Sequence, residues 1–163
     1  MAQLTDLHDL LCHEVQAMYS AEKLIVAGLP RMIEKAHNQE LKQAFSQHLA
    51  ETEQQVERLK EVAKMLNIDA DGDSNPGMKG IIAEGEKVME KNSESEVLDA
   101  ALICGAQKIE HYEIAGYGTA VYLAKELGLE AVARVLDETL EEEKNTNSIL
   151  NHLAKNLVNP MAE

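Results

Sequence analysis

Residues 106–117, Ala-Gln-Lys-Ile-Glu-His-Tyr-Glu-Ile-Ala-Gly-Tyr, restrict the fold more than any other stretch. They lie within a run where Ile103, Ala106, Tyr117, Ala120, Ala124 and Leu127 recur at three- and four-residue steps, the spacing of one stripe of a packed helix. Glu110 and Glu113 fall on that same stripe. An ionised carboxylate withdrawn from water costs several kcal/mol unless it is paired or bound to a metal. Two of them one turn apart on a core face therefore require compensation from the rest of the chain.

That remainder is suited to helices. Apolar residues make up 45% of the 163 positions but aromatics only 3%, so the core must consist of Leu, Ile, Val, Met and Ala. Prolines occur only at 30, 76 and 160, which leaves long uninterrupted segments. The length fits a single domain over residues 1–163.

A net charge of −14 argues against nucleic acid and anionic membrane surfaces as partners. It suits cations, although solubility alone is the commoner reason for such charge. Cys12 and Cys104 lack Cys-x-x-Cys spacing and read as reduced, buried thiols, with a disulfide between them left open. The N-terminus shows no basic stretch followed by an apolar one, and no apolar run is long enough to span a bilayer, so a cytoplasmic chain is expected.

A first helix is expected over residues 5–36, with Leu4, Leu7, Leu11, Met18, Ile25, Leu29 and Met32 in a heptad-like repeat and Gly28 and Pro30 as sites of bending. The position due after Met18 is Glu22, which alone reads more simply as an edge residue paired with Lys23 or Arg31. Asn38 caps a second helix that reaches Leu66, lined by Leu41, Phe45, Val56, Leu59 and Val62. Midway its inner side turns polar at His48, Glu51, Thr52 and Gln55. Taken singly, His48 reads as a hydrogen-bonded core histidine.

Residues 67–80 carry turn chemistry, and their alternating acids lack the bidentate Glu of a calcium loop. A short helix over 78–91, with Ile81, Ile82, Val88 and Met89 on one side, makes this segment a long crossover. Ser93 with Glu96 forms a capping box for the third long helix, which Gly128 stops after Leu127. A fourth over 129–157 places Val132, Leu136, Leu150, Leu153 and Leu157 inward, with Thr139, Glu143 and Thr146 between. Glu141 and Glu142 are expected to be solvated, facing Lys144 or water.

The fold class is therefore all-α, a four-helix bundle with a crossover between its second and third long helices. Helix midpoints fall at about residues 20, 52, 110 and 143. Glu22, Glu51, Glu110, Glu113 and Glu143 each lie close to one of them and so share one level of the bundle. Two divalent or trivalent cations would neutralise such a layer, bridged by its carboxylates.

Glu22 in Tyr-Ser-Ala-Glu-Lys, His48 and Glu51 in His-Leu-Ala-Glu-Thr, the segment Gln-Lys-Ile-Glu-His-Tyr-Glu-Ile-Ala-Gly-Tyr-Gly and Thr-Leu-Glu-Glu-Glu-Lys resemble the YciE/YciF stress-protein family of ferritin-like bundles. The resemblance spans nearly the whole chain. It implies a helix-crossover bundle like those of rubrerythrin and ferritin, a carboxylate-bridged di-iron centre and a role in osmotic or oxidative stress, with no assigned reaction. Glu22, Glu51, Glu110, Glu113 and Glu143 match the carboxylate ligand positions of that class.

The departures are also specific. Many di-iron bundles carry Glu-x-x-His on the second and fourth helices, whereas here Glu51 is followed by Gln54, and Glu143 by Thr146 and then Asn147, where relatives often have Asp. The only Glu-x-x-His, Glu34 and His37, lies about 18 Å along the first helix from Glu22 and is a decoy. An oxygen-rich site shifts preference towards weaker iron or manganese binding, with His48 the candidate nitrogen ligand. Tyr19, Tyr112 and Tyr117 read as packed residues that can also donate hydrogen bonds or act as radical traps.

The expected chemistry is reduction of peroxide or dioxygen, or Fe(II) oxidation, at two Fe(II) ions bridged by Glu51 and Glu143 and capped by Glu22 and by Glu110 or Glu113. The electron donor would be another molecule, and the chain a homodimer. A helical stress protein acting by association, without catalysis, and iron sequestration are the alternatives.

Overall fold

The computed structural model describes residues 4–72, 74–91 and 96–162. Its helices are α1 (Leu7–Lys35), α2 (Gln39–Met65), α3 (Pro76–Lys91), α4 (Glu96–Glu126) and α5 (Glu130–Leu153), followed by a π-helical turn (Ala154–Val158) and a short α6 (Asn159–Met161). Among the described residues there are no strands. The four long helices pack in a closed ring, α1 on α2, α2 on α5, α5 on α4 and α4 on α1. The second and third long helices, α2 and α4, are thus diagonal, which requires a long connection. Within it α3 lies outside the bundle against α4 and α1.

Local chemistry sets the ends. Asp6 caps α1 by accepting from Asp9 N at 2.8 Å, and Asn38 caps α2 by accepting from Glu40 N and Leu41 N at 2.9 and 3.1 Å. Asn67 stops α2 with φ 57° and Gly128 stops α4 with φ 72°. The next amides, Ile68 N and Leu129 N, return to Ala63 O and Ala124 O at 3.0 and 2.8 Å, satisfying carbonyls that the helices leave free.

The crossover is tied down by Asn75, a buried residue. Its amide N–H donates to Ser20 Oγ, its Nδ2 to Ala17 O, and its Oδ1 accepts from Met78 N and from the Tyr112 hydroxyl, all at 2.9 Å. One side chain thereby caps α3, with Pro76 at its first position, and fastens it to α1 and α4. α3 starts two residues before the expected boundary, because Asn75 supplies the cap. The predicted capping residue Ser93 lies outside the described residues, as does Asp73 of the turn.

Most of the predicted stripes are buried, among them Leu11, Met18, Ile25, Leu41, Phe45, Ile103, Tyr117 and Leu136. Gly116 sits where α1 crosses α4, and a Cβ there would collide with Met18 Sδ. Leu4 and Leu7 depart from expectation at 50% and 44% exposure, since no neighbouring element covers the start of α1. Cys12 is only partly buried and Cys104 is exposed, and both thiols are free. The anticipated burial therefore fails for Cys104, and the disulfide left open does not form. No described helix is long and apolar enough to cross a membrane.

Candidate metal centre

Each long helix interrupts its apolar stripe at the same level. On α1 the stripe runs Met18, Glu22, Ile25; on α4 it runs Ala106, Glu110, Glu113, Tyr117; on α5, Leu136, Thr139, Glu143, Thr146, Leu150. On α2 it runs Phe45, His48, Thr52, Gln55, Leu59. All these polar residues are buried, with Glu22, Glu110, Glu113 and Glu143 at 0% exposure. The edge reading of Glu22, paired with Lys23 or Arg31, is thus excluded. Those cations pair instead with Asp71 at 3.0 Å and Glu86 at 3.4 Å.

Ligand-type atoms of His48, Glu110, Glu113 and Glu143 lie within 4.8 Å of one another. His48 Nε2 stands 3.2 Å from Glu110 Oε1, but the contact lacks the direction of a hydrogen bond. Both oxygens of Glu110 and of Glu113, one each of Glu22 and Glu143, and both His48 ring nitrogens are buried without a hydrogen-bond partner. Thr52 by contrast is satisfied, donating to His48 O at 2.8 Å.

The electrostatics follow from burial. Desolvation, and then repulsion from neighbouring carboxylates, raises the carboxyls of Glu22, Glu110 and Glu113 well above the ordinary range. Desolvation raises Glu143 as well, against the opposing bond from Gln55. It also pushes the His48 imidazole down to about 4, so the ring is neutral at pH 7 and has a lone pair to offer.

Hydrogen bonds orient two of the acids. The Tyr117 hydroxyl donates to Glu22 Oε1, and Gln55 Nε2 donates to Glu143 Oε1 and, at 2.9 Å, to Glu142 Oε2. In each acid one oxygen is held and the other remains open. Tyr112 serves Asn75 rather than this layer, and the Tyr19 ring lies 5.1 Å below Lys23 Nζ.

Two expectations change. Glu51 does not join the fully buried group: it is partly buried, and its Oε1 accepts from Gln47 Nε2 at 2.9 Å. The reason is angular, because the inward stripe of α2 passes through His48, Thr52 and Gln55 and leaves Glu51 at its edge. Its charge still acts on Glu110 and Glu143. Glu142, in turn, is not simply solvated. Arg58 reaches across from α2 and grips both its oxygens at 2.5 and 2.7 Å. Partial burial works against the Glu142 charge, yet the bonds from Arg58 and Gln55 hold its carboxyl below the usual range. Glu141 does pair with Lys144, at 2.7 Å.

Gln55 and Arg58 were the residues whose roles sequence reasoning missed. The inner polar run of the second helix already includes Gln55, but nothing local to it names Glu143 as the partner. The decoy pair Glu34 and His37 is exposed. Asn147, one turn beyond Glu143, is partly buried with an unpartnered Oδ1.

Carboxylate oxygens and neutral imidazole nitrogens are donors for iron, manganese or zinc, and a cation would relieve both their desolvation and their mutual repulsion. The residues present therefore fit a metal. Glu110, Glu113, Glu143 and His48 form the group with mutual reach, and Glu22 offers its free oxygen beside Glu113.

Residues 6–163 match the family described as a domain of unknown function, DUF892. Protein YciF of Escherichia coli (strain K12) is 44% identical over 158 residues, covering 96% of this chain and 95% of that protein. The crystal structure of the E. coli stress protein YciF matches with a TM-score of 0.91 at 43% identity, over 96% of this chain and 99% of that one. YcfI from Rhodopseudomonas palustris matches with a TM-score of 0.89 at 42% identity, over 91% and 95% of the two chains. A protein from Xanthomonas campestris pv. campestris shares the fold, with a TM-score of 0.76 at 21% identity over 96% and 95%. The family profile runs almost from end to end and the kinship with YciF covers nearly all of both chains, so this chain belongs to the DUF892 family and is a relative of YciF.

Proposed function

We propose that the chain is a ferritin-like stress-response protein whose buried acidic layer holds a dinuclear metal centre, iron in the first instance and manganese as the substitute. The observation that carries this reading is the set of fully buried Glu22, Glu110, Glu113 and Glu143 with unpartnered oxygens, the last three offering ligand atoms within 4.8 Å of one another and of neutral His48. The description of YciF as a stress protein supports the biological side. A bound metal pair supplies exchangeable electrons and open positions for peroxide or dioxygen, or for oxidation of Fe(II) itself.

The protein's own contribution is positional. Tyr117 fixes Glu22 through one oxygen and Gln55 fixes Glu143 through one oxygen, so each presents the other towards the layer. Arg58 and Glu142 hold Gln55 in place from the outside. The apolar residues above and below exclude water, which strengthens every charge interaction within. Glu51, at the edge of the layer, is the remaining carboxylate for a bridging role. The only two thiols stand apart on α1 and α4, so electrons would come from another molecule. A homodimer in the cytoplasm is the setting proposed for this activity.

Protein purified without chelators should contain about two metal ions per chain and consume peroxide after Fe(II) addition. Glu110→Ala should lose both properties while keeping its helix content. Unchanged behaviour in that variant would favour the second reading, a non-catalytic helical protein acting by association. The description of YcfI as a candidate structural protein favours the same alternative.

A further inference from the structure

Beneath α3 the packing opens into a cavity of about 110 Å³. Its walls include the buried Ile25, Leu29 and Leu102 of the bundle, with Ile81, Ile82 and Met89 of α3 roofing them. Three of its lining residues are glycines from three helices, Gly28 on α1, Gly85 on α3 and Gly105 on α4. A Cβ at any of them would meet nothing within 4 Å. Gly116 is the contrast, since there an added Cβ would strike Met18. A mid-helix glycine is less stable than alanine, and at all three positions along this lining there is room for a side chain.

The charges at this space cancel. Arg31 and Glu86 are the charged residues of the lining, and they pair with each other at 3.4 Å between α1 and α3. A second space of about 140 Å³ shares Ile81, Gly85, Ala101 and Gly105 and carries the pair Lys108 and Glu84, 2.6 Å apart. α3 therefore crosses α4 as a strap over apolar hollows, each bordered by a neutralised ion pair. A charged occupant would lose hydration without gaining a free counter-charge. An apolar cavity of about 150 Å³ is known to take benzene, so this space suits a group of about four to six carbon atoms.

We infer that the cavity between α1, α3 and α4 is a binding site for a small uncharged organic molecule, an alkyl or aryl group of that size. The inference does not rest on the metal reading, although the two sites adjoin. Ile25 lies three residues from Glu22, and Ile109, also in the lining, precedes Glu110.

Fluorobenzene titrated into the full chain and followed by fluorine NMR tests the site. Saturable binding of one molecule per chain is expected, weakened about tenfold or more in Gly105→Leu and in Gly28→Leu, with melting temperatures unchanged or raised. Hexanol should compete and hexanoate should not. Glu110→Ala should bind fluorobenzene as the parent does, so that failure of the metal centre and failure of this site are told apart. Absence of saturable binding to the parent chain, undiminished binding in both leucine variants, or equal competition by hexanoate would each overturn the inference. A change in sedimentation of the leucine variants, with no probe binding to the parent, would reassign the hollow to an interface with a second copy.

Discussion

A carboxyl group at zero exposure in a metal-free protein stays neutral by keeping its proton, and that has a consequence for pH. Burial first, and repulsion from Glu143 second, raise Glu22 from 4.5 to about 8, while burial raises Glu143 to about 7. Between pH 4.5 and 8 the folded metal-free chain holds protons that the unfolded chain has released, so these groups contribute stability that is lost as pH rises. His48 acts oppositely, because its folded value of about 4 lies below 6.5, and its contribution is lost as pH falls through that interval. The two effects oppose each other below 6.5. The melting temperature of metal-free protein should therefore fall between pH 6.5 and 8, and saturating Mn(II) should flatten that fall, because metal binding displaces the same protons. A metal-free melting curve insensitive to pH over that window would contradict protonated burial. Glu113→Gln replaces a carboxyl that burial forces to keep its proton with a side chain that is neutral in both the folded and the unfolded chain, so it should raise metal-free stability at pH 8 by about 1 kcal/mol or more, while reducing bound metal on elemental analysis. Tyr117→Phe leaves Glu22 Oε1 without its donor and should cost about 1–3 kcal/mol in urea unfolding.

At the scale of the element, single polar residues position whole helices. Asp99 on α4 is buried and accepts from His37 N at 2.7 Å and Asn38 N at 2.8 Å, pinning the α1–α2 turn to the third long helix. Asp99→Ala should lower stability by about 1–3 kcal/mol, read as a shift of the urea midpoint with little change of slope. Gly116→Ala should cost about 1–3 kcal/mol through overpacking against Met18, whereas Gly105→Ala should stabilise by up to about 1 kcal/mol. Most helices were legible beforehand, since Asn38 and Gly128 act locally and lie where caps and stops belong. Asp99 was not, because a residue 61 positions from its partner leaves no local pattern. Leu4 and Leu7 continued a heptad-like repeat past the point where any helix faces it.

For the molecule as a whole, a cation that binds the folded chain alone stabilises it by mass action. At a free concentration of one hundred times its dissociation constant, Mn(II) should add about 2.7 kcal/mol, and a chelator should remove it. Scanning calorimetry with and without metal reads this directly, and equal curves would leave the acidic layer unexplained by metal. Periodicity was enough to establish an all-helical chain, a crossover between residues 66 and 96, and a level where Glu22, Glu110, Glu113 and Glu143 replace aliphatics, because helical repeat and helix length fix those quantities along one axis. Rotation about that axis is set by neighbours. Packing of the four helices in a ring set Gln55 against Glu143 and left Glu51 at the edge, brought Arg58 onto Glu142, and held α3 over a hollow that three glycines leave open. Contacts between distant residues depend on how helices face one another, and a linear repeat carries no record of that angle.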